Sequence, residues 1–240
     1  MKRLGDFALP GRGAGLPGKG PDCQTCDDTG WMPVDRTNRA KGVIKCTDCY
    51  ERRRGFAPGV PDDAAKISLD AYNRGELQKT SHNESALLQA KFFLDGVHPG
   101  LYLHGCVGSG KTILACAILN DLHRAGKTVR FVRVTDLLKQ LVQHDTGDQV
   151  HDKMVAVPVL CLDDIGSQRG TDYARQVLLQ VFDARTDRGH RTIWTSNLNL
   201  DELVAFFGED KRLASRIAGN AKIVELNGPD YRLKKAKARK

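Results

Sequence analysis

No apolar run in this 240-residue sequence reaches the ~18–20 residues that a helix needs to cross a bilayer. The first twenty residues, MKRLGDFALPGRGAGLPGKG, open on basic side chains but lack the apolar core of ~7–15 residues that follows in a secretory signal. A cytoplasmic protein with no membrane partner is therefore expected. Seven cysteines, an odd number, argue against a fully paired disulfide framework. Apart from two CxxC elements near the N-terminus, no segment repeats another.

Basic residues are in excess, 37 Lys and Arg against 29 Asp and Glu, for a net charge of +8 and a pI of about 9.2. That excess favours polyanion partners, nucleic acid first; the alternative is a basic surface that only aids solubility. The length allows one α/β domain with a small appended module. The pattern predicts a flexible arm over 1–20, a cysteine-bearing module over 21–55, a linker over 56–63, a large domain over 64–232 and a basic tail over 233–240.

Within the large domain, residues 64–96 read as mostly helical, with Ala86, Leu87, Leu88, Ala90, Phe92, Phe93 and Leu94 making an apolar face. Apolar strands and helices then alternate. Strands are predicted over 100–104, 128–134, within 155–165, over 191–196 and over 221–226. Helices are predicted over 111–125, from a Thr135 cap to about 143, and over 171–187, 201–207 and 209–218. Such alternation means a parallel sheet with helices on both faces.

The first strand leads into Gly105, Cys106, Val107, Gly108, Ser109, Gly110, Lys111 and Thr112, a GxxxxGK sequence followed by Thr. Glycines let main-chain N–H groups turn inward to phosphate oxygens, and the helix that follows points its positive end at the same place. Lys111 adds a point charge for the β- and γ-phosphates, and the Thr112 hydroxyl suits Mg²⁺. The motif follows a strand and opens a helix, as a phosphate-binding loop for ATP requires. The apolar strand VPVLCL ends in Asp163 and Asp164, at the edge where open α/β sheets place their chemistry. Asp163 is the magnesium-side carboxylate and Asp164 the candidate catalytic base; the alternative for Asp164 is a cap on the following turn. Asn197, after the strand RTIWTS, could reach the γ-phosphate or the attacking water; the alternative is an Asn that starts the loop toward Asp201. Cys106, Cys116 and Cys161 read as buried, reduced thiols.

These residues, in this order, resemble the AAA+ ATPases of the DnaC/DnaI helicase-loader and IstB-like group. The resemblance runs from about Ile67 to Arg232 and rests on ISLDAYN, PGLYLHGCVGSGKT, VLCLDDIG, IWTSN and KRLASRI…GPDYR. It implies an α/β P-loop AAA+ domain, ATP hydrolysis, and the sensor-1 role for Asn197. It also implies a homo-oligomer in which an arginine finger acts in trans on the next subunit. Arg216 matches the finger best, Arg212 is its neighbour, and Arg232 is a weaker candidate. Two departures stand out: Asp164 is shorter than the Glu common at that place, and too little chain follows the last strand for a helical lid domain.

Cys23, Cys26, Cys46 and Cys49 form two CxxC pairs with zinc-ribbon-like spacing, and a closed structural Zn²⁺ site of four thiolates is expected; the alternative is reduced surface thiols or a redox pair. So short a module buries too little apolar surface to fold alone, and zinc binding, ~10–16 kcal/mol in finger peptides, would supply the difference. Its CxxC-x-DTGW start resembles the zinc-bearing N-terminal domains of some loaders, which implies docking on a hexameric replicative helicase; nucleic-acid docking through Arg52, Arg53 and Arg54 competes. The group also implies a channel for single-stranded DNA, for which Arg130, Phe131, Arg133 and Lys139 are candidates, Phe131 being better explained as core. The overall expectation is a helicase loader in DNA replication. The alternatives are an IstB-like transposition helper acting on duplex DNA with a transposase, and a regulatory protein that holds ATP without turnover.

Overall fold

The computed structural model describes residues 31–33, 43–45, 56–73, 84–141, 147–167 and 171–230. The chain divides into two compact units, Met1–Phe56 and Ala57–Lys240. In the first, β1 (Trp31–Pro33) pairs antiparallel with β2 (Val43–Lys45), Trp31 opposite Lys45. Cys23, Cys26, Cys46 and Cys49 lie outside the described residues, as do the basic arm and tail.

The second unit is built on five parallel strands: β3 (Gly100–His104), β4 (Val129–Arg133), β5 (Val159–Ile165), β6 (Arg191–Ser196) and β7 (Lys222–Glu225). Their order is β4-β5-β6-β3-β7, which puts β3 beside both β6 and β7. The helices are α1 (Leu69–Asn73), α2 (Glu84–Leu94), α3 (Lys111–Arg124), α4 (Val134–Leu141), α5 (Gly147–Ala156), α6 (Asp172–Asp187), α7 (Leu200–Phe206) and α8 (Arg212–Asn220).

Strand side chains alternate between the faces of the sheet. Tyr102, Leu160, Leu162 and Trp194 pack with Leu137 of α4, Leu178 and Phe182 of α6, and Leu213 and Ile217 of α8. Their neighbours Leu101, Leu103, Cys161 and Ile193 are equally buried and turn toward the opposite face, where α3 crosses β4, β5 and β6. Trp194 stacks on Phe182 with ring centroids 5.6 Å apart. Arg185 of α6 is fully buried, and its guanidinium donates to the carbonyls of Met154, Val157 and Arg191 and to Thr192 Oγ1. Burial lowers its pKa to about 10, so it stays charged at neutral pH and clamps the β5 and β6 entrances together.

Several expectations need correction. Residues 56–63, expected as a linker, are tied to the domain: Ala57 and Val60 are buried, and the Phe131 N–H donates to the Pro58 carbonyl at 2.9 Å. Asn120 of α3 is the anchor. Its Oδ1 accepts from Ala57 N–H, and its Nδ2 donates to the carbonyls of Ala64, Ala65 and Ile67. Asn120→Ala would strand these buried groups, and we expect denaturant unfolding to show a loss of about 3 kcal/mol. Thr135 is not a cap, because α4 begins at Val134 directly after β4. The helix α5 was not expected; its sequence GDQVHDKMVA is too polar to show a clear period. Thr171 does cap α6, accepting from Ala174 N–H at 3.1 Å.

Candidate nucleotide site

The loop between β3 and α3 turns at Gly105, Gly108 and Gly110, whose φ values of 129°, 76° and 97° lie where side chains are strained. Gly110 is the residue from which α3 starts. Lys111 opens the helix, is 7% exposed, and folds its ammonium back over the loop. Lys111 Nζ donates to the carbonyls of Gly105 at 2.8 Å and Cys106 at 2.7 Å. The positive end of α3, the amides of the turn and this ammonium converge, as an anion site demands.

Across from the loop, β5 delivers its two aspartates. Thr112 Oγ1 donates to Asp163 Oδ1 at 2.8 Å, and Thr195 Oγ1 donates to the same oxygen at 2.7 Å. Asp163 is 3% exposed; burial pushes its pKa up, and the two hydroxyl bonds hold it back. The pairing of β5 with β6 shifts between Leu162 and Ile165, and Asp164 takes a left-handed backbone at φ 65°. Strain of this kind at a non-glycine residue is typical of functional positions. It is held by Thr195, whose Oγ1 also accepts the Asp164 N–H at 2.8 Å. Asn197 Nδ2 lies 3.5 Å from Asp164 Oδ1. Thus the residues singled out in three separate motifs gather at one edge of the sheet.

Oxygen donors of this kind suit a hard cation. A threonine hydroxyl and a carboxylate oxygen at 2.8 Å match Mg²⁺, which takes one or two protein oxygens and keeps several waters. Thr112 and Asp163 would hold the ion against the phosphates, where it would offset their charge. Thr195 stands within the IWTSN segment, where no sequence pattern marks it. Only its nearness to both aspartates reveals it as the residue that fixes them.

The remaining candidates are dispersed. Cys116 and Cys161 are buried, and burial raises both thiols well above the usual range. Cys106 corrects the expectation: it is exposed, because the loop carries it to the surface. Phe131 is 3% exposed and belongs to the core, which removes it as a stacking ring. Arg130, Arg133 and Lys139 are exposed, but Arg130 and Arg133 are three residues apart on β4 and so leave opposite faces. Arg212 grips Asp210 through Nε and Nη2, and the mostly buried Arg175 pairs with the same carboxylate. These arginine contacts hold the Asp210 carboxyl well below its usual range. Arg216 instead makes one ion pair, Nε to Asp183 at 2.5 Å, with its side chain 39% exposed. Neither arginine bonds to the phosphate loop of its own chain among the described residues, and Arg232 lies outside them.

Known proteins are similar to this chain. The replicative helicase loader DnaC of Escherichia coli is 29% identical over 157 residues, 62% of this chain and 63% of that protein. The replicative helicase loader DnaI of Bacillus subtilis is 32% identical over 151 residues, 57% of this chain and 49% of its own length. The chain thus spans less than two-thirds of either relative. A crystal structure of DnaI superposes with a TM-score of 0.63 at 27% identity, covering 75% of this chain and 98% of that one. The profile of the IstB-like ATP binding protein family matches residues 86–239, which take in the phosphate loop, the aspartate pair, the TSN strand and α8. On that match over more than half of its length the chain belongs to the IstB-like ATP-binding proteins, and it carries the AAA+ P-loop fold.

Proposed function

We propose that this protein is an ATP-hydrolysing helicase loader. The observation that carries the reading is the cluster at the sheet edge, where Thr112, Asp163, Thr195, Asp164 and Asn197 meet beside the loop that Lys111 folds over. In this reading the loop amides and Lys111 bind the phosphates. Asp163 and Thr112 orient toward the metal side, and Thr195 locks Asp163 in place. Asp164 accepts the proton of the attacking water, and Asn197 orients that water. Arg216, supplied by the next subunit, meets the charge that develops on the departing γ-phosphate, which makes the working form a homo-oligomer.

Both curated relatives described above carry the name replicative helicase loader, which favours a hexameric helicase as partner over a transposase. The cysteine pairs of the first unit would hold Zn²⁺ and dock on that helicase, and exposed basic residues would track single-stranded DNA. The test is a pull-down with a purified replicative helicase, using the full chain and a form lacking residues 1–60. Capture by the full chain alone supports the reading. Equal capture by both forms moves the docking surface elsewhere, and capture by neither refutes the loader role. Metal analysis of protein purified without chelator should find about one zinc per chain. Protein without zinc would remove the metal from the account.

A further inference from the structure

The segment that leaves β7 runs against the phosphate loop. Leu226 N–H donates to the His104 carbonyl at 2.7 Å, which extends the strand pairing to the start of the loop. A β-carbon on Gly105 would lie 2.3 Å from the Leu226 carbonyl oxygen. One on Gly108 would lie 2.2 Å from Asp230 Oδ1 and 2.3 Å from its Cγ. The Cys106 thiol faces Asn227 Oδ1 at 3.9 Å. Two glycines of the cradle are therefore needed twice: once for their turn, and once because residues 226–230 press against them.

We propose that Asp230 is a residue of the nucleotide site and sets its affinity. Its half-buried carboxylate touches Gly108, the glycine at the middle of the phosphate turn. A triphosphate settling on that turn comes within a few ångströms of a like charge. At the effective dielectric of a protein surface such a pair repels appreciably, and salt weakens the repulsion. The positive end of α3 and the Lys111 ammonium attract the nucleotide; Asp230, remote in sequence but beside the turn, opposes them. ATP binding is then weaker than the cradle alone would give, and residues 226–230 feel directly whether the loop is filled. This inference rests on the ATP-binding reading of the loop.

Asp230→Asn keeps the size of the side chain and removes the charge, and Asp230→Ala removes both. Titration with N-methylanthraniloyl-ATP in low salt is expected to show about tenfold tighter binding in each variant than in the unaltered protein, a size in keeping with one partly screened charge pair. The gain should shrink in concentrated NaCl, because only a charge effect is screened. Unchanged or weaker binding in both variants, or a gain that salt does not touch, overturns the proposal. Lys111→Ala is the control: if it binds the probe as tightly as the unaltered protein, the phosphate-loop reading itself fails. If Lys111 matters and Asp230 does not, only the role of Asp230 is lost.

Discussion

Replacing Arg216 by alanine is expected to lower ATP turnover by about 10³–10⁵-fold while leaving ATP affinity essentially unchanged. The split follows from placement. In its own chain Arg216 bonds to Asp183 on α6 and to nothing on the phosphate loop among the described residues, so it does not contribute to ground-state binding there. Among the described residues its ion pair runs through Nε, which leaves the terminal nitrogens of the guanidinium to meet a neighbour. Arg212 differs, because both of its bonding nitrogens are spent on Asp210 together with Arg175, and its loss should cost packing between α6 and α8 before it costs turnover. A mixing experiment sharpens the test. Chains with Arg216→Ala keep an intact loop, and chains with Lys111→Ala keep an intact Arg216. Each alone should be inactive, and the mixture should recover part of the turnover. A mixture as inactive as its parts, or an Arg216→Ala protein with full turnover, contradicts a site shared between subunits.

Lys111→Ala is expected to weaken ATP binding by about 100-fold, equivalent to about 2.7 kcal/mol, and to abolish turnover. The ammonium folds back over the loop, held by the carbonyls of Gly105 and Cys106. Charge-assisted bonds to phosphate are worth more than neutral ones, and no nearby residue in the loop substitutes for this one. Fluorescent-nucleotide titration measures the effect, and thermal melting shows whether the fold survives. Affinity within a few-fold of the unaltered protein would mean that the amides alone grip the phosphates.

Much of the fold was legible because the strands are apolar runs bounded by clear breakers. The sequence pattern predicts β3 and β6 at the bounds observed, 100–104 and 191–196. Where local signals were weak, the structure decided. Thr135 has the chemistry of a cap, yet α4 starts one residue earlier because β4 runs into it without a loop. Residues 57–63 carry the prolines of a linker, but Asn120, more than fifty residues away, ties them down. No local pattern announces such a partnership.

The site shows the same division. Lys111 and Thr112 stand out in the sequence from the GxxxxGK spacing, and Asp163 from its place at the end of an apolar strand. The part played by Thr195 does not, because its oxygen meets Asp163 and Asp164 only through the pairing of β5 with β6. The left-handed turn at Asp164 arises from the irregularity in that pairing, which a sequence of apolar residues ending in two aspartates does not encode visibly. Asp230 is still more remote, arriving at Gly108 only because β7 lies beside β3.

Asp163 offers the most direct test of the central claim, that the loop and the aspartate pair together hold a magnesium-bound triphosphate. Asp163→Asn keeps an oxygen to accept from Thr112 and Thr195 and removes a carboxylate whose pKa burial has raised. With a raised pKa the native carboxyl holds its proton longer than the unfolded one, so ionisation costs stability as pH rises through that range; the asparagine escapes this cost. The variant should therefore be folded and at least as heat-stable as the parent protein. The measurement is ATP affinity with and without Mg²⁺. The unaltered protein should bind more tightly when the ion is added, and Asp163→Asn should show no such gain. Full magnesium enhancement in a folded Asp163→Asn protein would contradict the account.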